Sequence, residues 1–172
     1  MDGSDAPAPK DTNAVFLKDV VDGLSKPQKS IPSRWFYDQA GSELFEQITE
    51  LPEYYPTRTE IGILNDNVTE IAEMIGQGSL LIEYGAGAST KTRILLDALP
   101  DMAGYVPIDV SEDFLLYTAD ALRADYPDLP VFPVVGNFMS QIKLPDLPSD
   151  SKTSDRKTGF FPGSTIGNLD DD

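Results

Sequence analysis

Gly85 and Gly87 are the residues whose type and spacing most directly indicate chemistry in this sequence. The apolar run Leu80–Ile82 and the carboxylate of Glu83 precede them, and a helix-compatible segment, Ala88–Leu99, follows. This order predicts a buried strand, a tight glycine turn and a helix start, where α/β proteins bind nucleotide-bearing ligands. Glycine suits the turn because a side chain at either position would hold a ligand away from the backbone.

Polar and aromatic residues follow the next two predicted strands. Asp109 ends the second strand, 24 residues after Gly85, and Asn137 and Phe138 follow the third. Because the carboxyl ends of parallel strands share one sheet edge, we expect these residues to converge. Asp109 could then accept hydrogen bonds from ribose hydroxyls, while Phe138 lies against a purine and Asn137 bonds its edge. The alternatives are an Asp109 that caps the following helix and a Phe138 that belongs to the core.

The glycine pattern also bears on the ligand. Thr90 stands where a G-x-G-x-x-G fingerprint has its third glycine, which weakens a nicotinamide-dependent oxidoreductase as an interpretation. Glu83 and the lack of phosphate machinery favour S-adenosylmethionine, whose adenosine carries an amino-acid tail and no phosphate. Lys91 could neutralise a ligand carboxylate or be an ordinary solvated lysine. A bare glycine turn without a ligand stays open as an alternative.

Composition excludes several classes of function. The 172 residues include 29 acidic and 13 basic ones, a formal charge of −16, which disfavours nucleic acids and anionic membranes as partners. Cysteine and histidine are absent, so disulfides, thiolate metal sites and a histidine general base are excluded and we predict no metal site. No apolar run reaches the ~20 residues of a membrane span, and no signal pattern is present, so we expect a cytoplasmic protein.

Three regions are predicted along the chain. Residues 1–12, rich in Asp, Pro and Ala, should form a disordered tail. Residues 13–78 read as a helical N-terminal subdomain that covers the substrate. Residues 79–172 alternate strands with helices, which predicts an α/β Rossmann-like parallel sheet. Since such a sheet usually continues, we expect this chain to be the first part of a longer protein, with its fourth strand at an exposed edge.

The apolar periodicity and turn residues place the individual elements. Ser42 should cap a short helix, and Thr57 with Glu60 has the pattern of a capping box at the start of a longer one. Pro133 predicts that the third strand lies at an edge or begins there. The remaining predicted elements are a helix over 13–24, strands over 80–83, 105–109 and 131–135, helices over 90–99 and 111–124, a polar loop over 140–158 and a strand from residue 159.

Four stretches carry a family resemblance. They are Ser33–Asp38 followed by Gly41–Phe45, Ile48–Arg58, the E-x-G-x-G-x-x-x-K-T segment Glu83–Thr92, and Gly163–Leu169. Together they resemble the S-adenosylmethionine-dependent histidine N-methyltransferases that make trimethylhistidine for ergothioneine. The resemblance covers nearly the whole chain from about residue 15, and it implies a class I methyltransferase sheet of Rossmann-like type.

The resemblance implies roles for particular residues. The family more often has Asp where this chain has Asn137, which would alter the adenine contact. Among the substrate residues, the alignment of Tyr54 against Tyr55 is open by one position. The positions that match cofactor-binding residues are Gly85, Lys91, Asp109, Asn137 and Phe138. The positions that match histidine-binding residues are Tyr37, Tyr54 and Asn168.

Tyrosine and asparagine suit an amino-acid substrate because they donate hydrogen bonds to a carboxylate without a fixed charge. Aromatic rings can also face a trimethylammonium product. The alternatives are structural: Trp35–Tyr37 as a hydrophobic plug and Tyr54–Tyr55 as a loop anchor beside Pro56.

The resemblance implies methyl transfer to the α-amino group of histidine, with no catalytic side chain assigned because the reaction needs mainly alignment. The family is roughly twice this length, and its second half completes the sheet and the substrate pocket. We therefore expect the 172-residue chain alone to be inactive or nearly so. The alternative is a non-catalytic module that binds the adenosyl cofactor or regulates a partner. The sequence predicts no oligomeric state.

Overall fold

The computed structural model describes residues 12–139, 141–145 and 156–169. The predicted tail, apart from its last residue, and most of the predicted loop over 140–158 lie outside the described residues. The described chain divides into two compact units, one ending at Tyr37 and the other beginning at Asp38. The boundaries of the regions predicted from the sequence stay predictions.

The first unit contains helix α1, Thr12–Ser25, and a short 3₁₀ helix, Ser33–Phe36. Asp19 on α1 accepts hydrogen bonds from the guanidinium of Arg34 and, at 2.8 Å, from Nε1 of Trp35. Because Arg34 and Trp35 both bond the same carboxylate, the 3₁₀ helix is fixed against α1.

The second unit holds the sheet and the helices around it. Every helix and strand predicted for this part of the chain is present, with ends shifted by a few residues. Its elements in chain order are α2 (Gln39–Thr49), α3 (Pro56–Ile75), β1 (Leu80–Tyr84), α4 (Thr90–Ala98), β2 (Gly104–Asp109), α5 (Glu112–Asp125), β3 (Val134–Val135), β4 (Lys157–Phe160) and a 3₁₀ helix (Thr165–Asn168).

The described strands pair in the order β3-β2-β1-β4, and each neighbouring pair is parallel. This confirms the Rossmann-like α/β sheet. The third strand is shorter than predicted: only Val134 and Val135 join the ladder, while Val131 makes an isolated bridge to Tyr105. Pro133 between them has no N–H to donate, and β3 lies at an edge of the described sheet, as this proline predicted.

Two predicted helix starts are wrong. Helix α2 begins before Ser42, and its N-cap is Asp38, whose Oδ1 accepts a hydrogen bond of 2.8 Å from the backbone N–H of Gly41. Helix α3 begins at Pro56, before Thr57, and its capping residue makes no side-chain cap bond with any described residue. Thr57 therefore lies inside the first turn and not at the cap position that a capping box requires. Proline suits the first helical position because it presets the backbone angle and has no N–H to satisfy.

The sheet has a buried core on both faces. Leu81 and Tyr105 lie on the face covered by helices, within a cluster that includes Leu95 and Leu122. The other face is covered by side chains that include Phe132, Phe138 and Leu144, and the buried residues on it are Leu80, Ile82, Val106 and Ile108. Each such side chain contributes roughly 1.5–3 kcal/mol by leaving water. In the described ranges, the helices are too short or too polar to cross a membrane.

Candidate functional site

The segments that follow β1 and β3 are both hydrogen-bonded to the end of β2. The backbone N–H groups of Gly85 and Ala86 donate to the carbonyl of Ile108 at 2.9 and 3.2 Å. The backbone N–H of Gly136 donates to the carbonyl of Asp109 at 2.9 Å. The structure therefore brings Gly85, Asp109 and the segment that begins at Gly136 together at the carboxyl edge of the sheet.

The carboxylate of Asp109 organises two of these loops. Its Oδ2 accepts from the backbone N–H of Gly87 at 3.2 Å, and its Oδ1 accepts from that of Ser111 at 3.0 Å. Ser111 stands at the N-cap position of α5, but its side chain makes no cap bond with a described residue. Each carboxylate oxygen can accept a second hydrogen bond, so partly exposed Asp109 retains capacity for a ligand hydroxyl.

The glycine turn is tightly shaped. Gly85 has φ +74°, and a Cβ there would stand 3.2 Å from the methyl carbon of Thr165. Gly87 has φ +50°, and a Cβ there would meet no described atom within 4 Å. Only glycine therefore lets the Gly85 backbone approach Thr165, while Gly87 leaves open space beside the turn, as a cradle for a ligand requires.

Glu83 is buried beneath this turn. It is 1% exposed and accepts hydrogen bonds from Oγ1 of Thr92 and the hydroxyl of Tyr105. The Tyr105 hydroxyl also lies 3.3 Å from Oγ of Ser89, which precedes α4. Burial raises the pKa of Glu83 to about 7, although both hydrogen bonds act to lower it. Glu83 thus belongs to a buried network that supports the turn.

Lys91 lies beside the turn in an ion pair that the sequence did not reveal. Its Nζ is 2.5 Å from Oε2 of Glu60 on α3. Oε1 of Glu60 accepts a hydrogen bond of 2.8 Å from the backbone N–H of Gly163. The predicted capping-box role of Glu60 is therefore wrong, because its carboxylate joins α3 to α4 and to the chain after β4.

Aromatic rings line the same edge of the sheet. Phe138 packs edge-on against Tyr84, which precedes Gly85, with ring centroids 6.1 Å apart. Phe161 contacts both rings, at 5.4 Å from Phe138 and 5.5 Å from Tyr84. The amide oxygen of Asn137 accepts a hydrogen bond of 3.0 Å from the backbone N–H of Met139, so its NH₂ group is the part suited to a ligand acceptor.

The residues predicted to bind substrate lie in separate parts of the chain. Tyr54 is half-buried and packs edge-on against Phe45, with centroids 5.9 Å apart, whereas Tyr55 is 67% exposed. Asn168 ends the 3₁₀ helix after β4, and its side chain lies outside the described residues. Tyr37 ends the first compact unit, directly after that unit's 3₁₀ helix.

The shape and charge of the site match the cofactor predicted from the sequence. The positive φ of Gly85, the space beside Gly87 and the Asp109 carboxylate suit a turn that faces an adenosyl ligand. The ammonium of Lys91 is already paired with a carboxylate, which suits a ligand tail that bears both charges better than a phosphate. The donor set therefore fits S-adenosylmethionine.

The chain has recognisable relatives among known proteins. Residues 16–172 match the family of histidine-specific, S-adenosylmethionine-dependent methyltransferases. The chain is 44% identical over 158 residues to a histidine N-alpha-methyltransferase of Mycobacterium tuberculosis and 44% identical over 159 residues to that of Mycolicibacterium smegmatis. It is also 32% identical over 165 residues to ergothioneine biosynthesis protein 1 of Neurospora crassa, covering 90% of this chain and 18% of the relative.

Each mycobacterial comparison covers 90% of this chain and 47% of the relative. The chain thus spans about half the length of these curated relatives.

Proposed function

The chain belongs to the family of histidine-specific, S-adenosylmethionine-dependent methyltransferases, and we propose that it forms the cofactor site and part of the substrate site of an enzyme that methylates the α-amino group of histidine. The hydrogen bond from Gly87 to Asp109 is the observation that carries this proposal, because it joins the glycine turn to the residue proposed for ribose. The names of the mycobacterial relatives support histidine as the substrate.

The proposed cofactor site uses one group from each loop. The Gly85 turn lies beside the amino-acid tail, Lys91 pairs with the tail carboxylate, and Asp109 accepts hydrogen bonds from the ribose hydroxyls. Phe138 presents a ring to the adenine, and the Asn137 amide donates to its edge. In this proposal, residues 79–172 form the cofactor-binding domain and residues 13–78 form the subdomain that covers the substrate.

The proposed role of the substrate residues is to bind and orient histidine. Bound S-adenosylmethionine would supply an electrophilic methyl group on a sulfonium centre. Tyr54 and Asn168 hold the carboxylate and amine of histidine, and Tyr37 lies near the imidazole. In this proposal, the proton that the substrate amine must lose goes to solvent or to a nearby tyrosine. Up to three rounds would give trimethylhistidine, the ergothioneine precursor, in agreement with the name of the Neurospora relative.

Calorimetric titration of the 172-residue chain tests the cofactor assignment. S-adenosylhomocysteine, the demethylated product of the cofactor, should bind at one site per chain. NADH should bind more weakly, because the turn has Thr90 where dinucleotide folds have their third glycine. A preference for NADH, or no heat with S-adenosylhomocysteine at millimolar concentration, would contradict the proposal.

Transfer of a labelled methyl group to histidine separates an enzyme from a binding module. We expect the 172-residue chain to bind S-adenosylhomocysteine but transfer little or no label. The protein purified from its native cell, with its intact mass determined, should transfer label if the methyltransferase proposal is correct. Binding without transfer by that native protein would favour the alternative, a non-catalytic adenosyl-binding module.

The assignment of Tyr54 against Tyr55 can be tested by histidine titration in the presence of S-adenosylhomocysteine. Removal of the hydroxyl that holds histidine should weaken binding about 10-fold, the value of one well-placed hydrogen bond. We expect this loss for Tyr54→Phe and no change for Tyr55→Phe. The reverse result would move the substrate contact to Tyr55.

A further inference from the structure

Glu60 and Lys91 form a charged pair of low exposure beside the glycine turn. The side chain of Lys91 is 14% exposed and that of Glu60 is 31% exposed. A Cβ at Gly163 would stand 3.1 Å from Nζ of Lys91, and Thr165 from the same segment packs against Gly85. The pair therefore lies between the turn and the chain that follows β4.

A second carboxylate, that of Glu46 on α2, experiences the charge of the same ammonium. Burial raises the pKa of Glu46, and the positive charge of Lys91 partly offsets that rise. The ion pair of Lys91 with Glu60 therefore has a further negative charge in its surroundings. A ligand phosphate at Lys91 would meet the negative charge of both carboxylates as well, whereas a ligand that carries its own ammonium would be attracted.

Glu60 is better placed than Glu83 to contact such a ligand. Glu83 is 1% exposed and holds the donors of Thr92 and Tyr105. Glu60 is partly exposed, and the backbone N–H of Gly163 fixes its orientation while each oxygen keeps capacity for a further hydrogen bond.

We propose that Glu60 is a specificity-determining residue that binds the ammonium of the cofactor's amino-acid tail and, with Lys91, selects a zwitterionic tail over a phosphate. This inference rests on the proposed function and deepens it. Lys91 takes the tail carboxylate, and Glu60 takes the tail ammonium. Because Glu60 neutralises the charge of Lys91, the pair has no net positive charge to bind a phosphate.

The test compares two ligands that differ only in the tail. S-adenosylhomocysteine carries the amino-acid tail, whereas 5′-methylthioadenosine has the same adenosyl thioether without it. In Glu60→Gln, the affinity for S-adenosylhomocysteine should fall about 10-fold, the value of one charge-assisted hydrogen bond. The affinity for 5′-methylthioadenosine should stay within about twofold. Glu73→Gln, an exposed position on the same helix, is the matched control and should change neither.

A third ligand makes the test independent of any variant. An adenosyl thioether whose tail keeps the carboxylate but lacks the amine should bind the unmutated chain about 10-fold more weakly than S-adenosylhomocysteine. Equal affinities would overturn the proposal even if Glu60→Gln failed to fold.

The outcomes with Glu60→Gln are also distinguishable. Parallel losses for S-adenosylhomocysteine and 5′-methylthioadenosine would assign Glu60 a purely structural role and overturn the proposal. Tighter binding of S-adenosylhomocysteine would do so as well, because Glu60 would then compete with the tail for Lys91. If the unmutated chain bound neither adenosyl ligand, the proposed function itself would fail.

Discussion

The backbone N–H of Gly87 donates a hydrogen bond of 3.2 Å to Oδ2 of Asp109, so the loop after β1 is joined to the last residue of β2. The other oxygen of the same carboxylate holds the backbone N–H of Ser111, at the start of α5. One side chain therefore shapes both loops at the carboxyl edge of the sheet. Its capacity for further hydrogen bonds makes it the centre of the proposed ribose contact.

Replacement of Asp109 should affect both binding and stability. Asp109→Ala removes the proposed ribose acceptor and leaves two backbone N–H groups without their partner. We expect the affinity for S-adenosylhomocysteine to fall at least about 10-fold and the free energy of unfolding to fall by about 1–3 kcal/mol. Calorimetry and urea unfolding measure these changes. Asp128→Ala, at an exposed position, is the control, and equal affinities in the two variants would remove Asp109 from the site.

Two glycine-to-alanine substitutions should change the free energy of unfolding in opposite directions. Gly85→Ala places a methyl group at φ +74° and 3.2 Å from Thr165, so it should lower the free energy of unfolding by about 1–2 kcal/mol and weaken S-adenosylhomocysteine binding. Gly62→Ala lies within α3, where a Cβ would meet no described atom within 4 Å, so it should stabilise by about 0.5–1 kcal/mol. Urea unfolding of both variants measures these changes. If both substitutions raised or both lowered the free energy of unfolding, the prediction would be wrong.

The sheet could be predicted because its signals are local. The apolar run Leu80–Ile82 is followed closely by the glycine turn at Gly85. Pro133 has no N–H for a ladder, which limits its strand to an edge. Parallel pairing then placed Gly85 and Asp109 at one edge, and the structure has them there. Strand direction alone determines this part of the site.

Contacts between distant segments could not be predicted in this way. The spacing of Thr57 and Glu60 satisfies the local pattern of a capping box, yet Glu60 pairs with Lys91 and with Gly163, which lies 103 residues further along the chain. A local pattern cannot reveal a partner that only the folded chain brings near. The same limit applies to Phe161, whose contact with Phe138 depends on the parallel pairing of β4 with β1.

Tyr105 should stabilise the network beneath the glycine turn. Its buried hydroxyl donates to Glu83, so Tyr105→Phe should lower the free energy of unfolding by about 1–3 kcal/mol. The lost hydrogen bond favoured ionised Glu83, so the destabilisation should be larger at pH 8 than at pH 5. Urea unfolding at both pH values measures it. Tyr117→Phe, at a residue 72% exposed, is the control and should stay within about 0.5 kcal/mol at each pH.

The buried carboxyl of Glu83 should make stability depend on pH. Its pKa is about 7 in the folded protein, against an ordinary value of 4.5, because burial disfavours its charge. Between these values the folded state binds the proton more tightly than the unfolded state. The contribution of Glu83 to stability therefore falls as pH rises from about 4.5 to 7 and is constant above that range.

Glu83→Gln isolates this contribution because glutamine stays neutral and can still accept from Thr92 and Tyr105. From pH 5 to pH 8, the free energy of unfolding of Glu83→Gln should rise relative to that of the unmutated chain by about 2–3 kcal/mol, since one pKa unit corresponds to about 1.4 kcal/mol. Urea unfolding across this range measures the difference. Glu112→Gln, at an exposed carboxylate, is the control, and its free energy of unfolding should differ from that of the unmutated chain by the same amount at every pH. If the difference for Glu83→Gln were also independent of pH, Glu83 would be ionised throughout this range. A further positive or hydrogen-bonding group would then have to stabilise its buried charge.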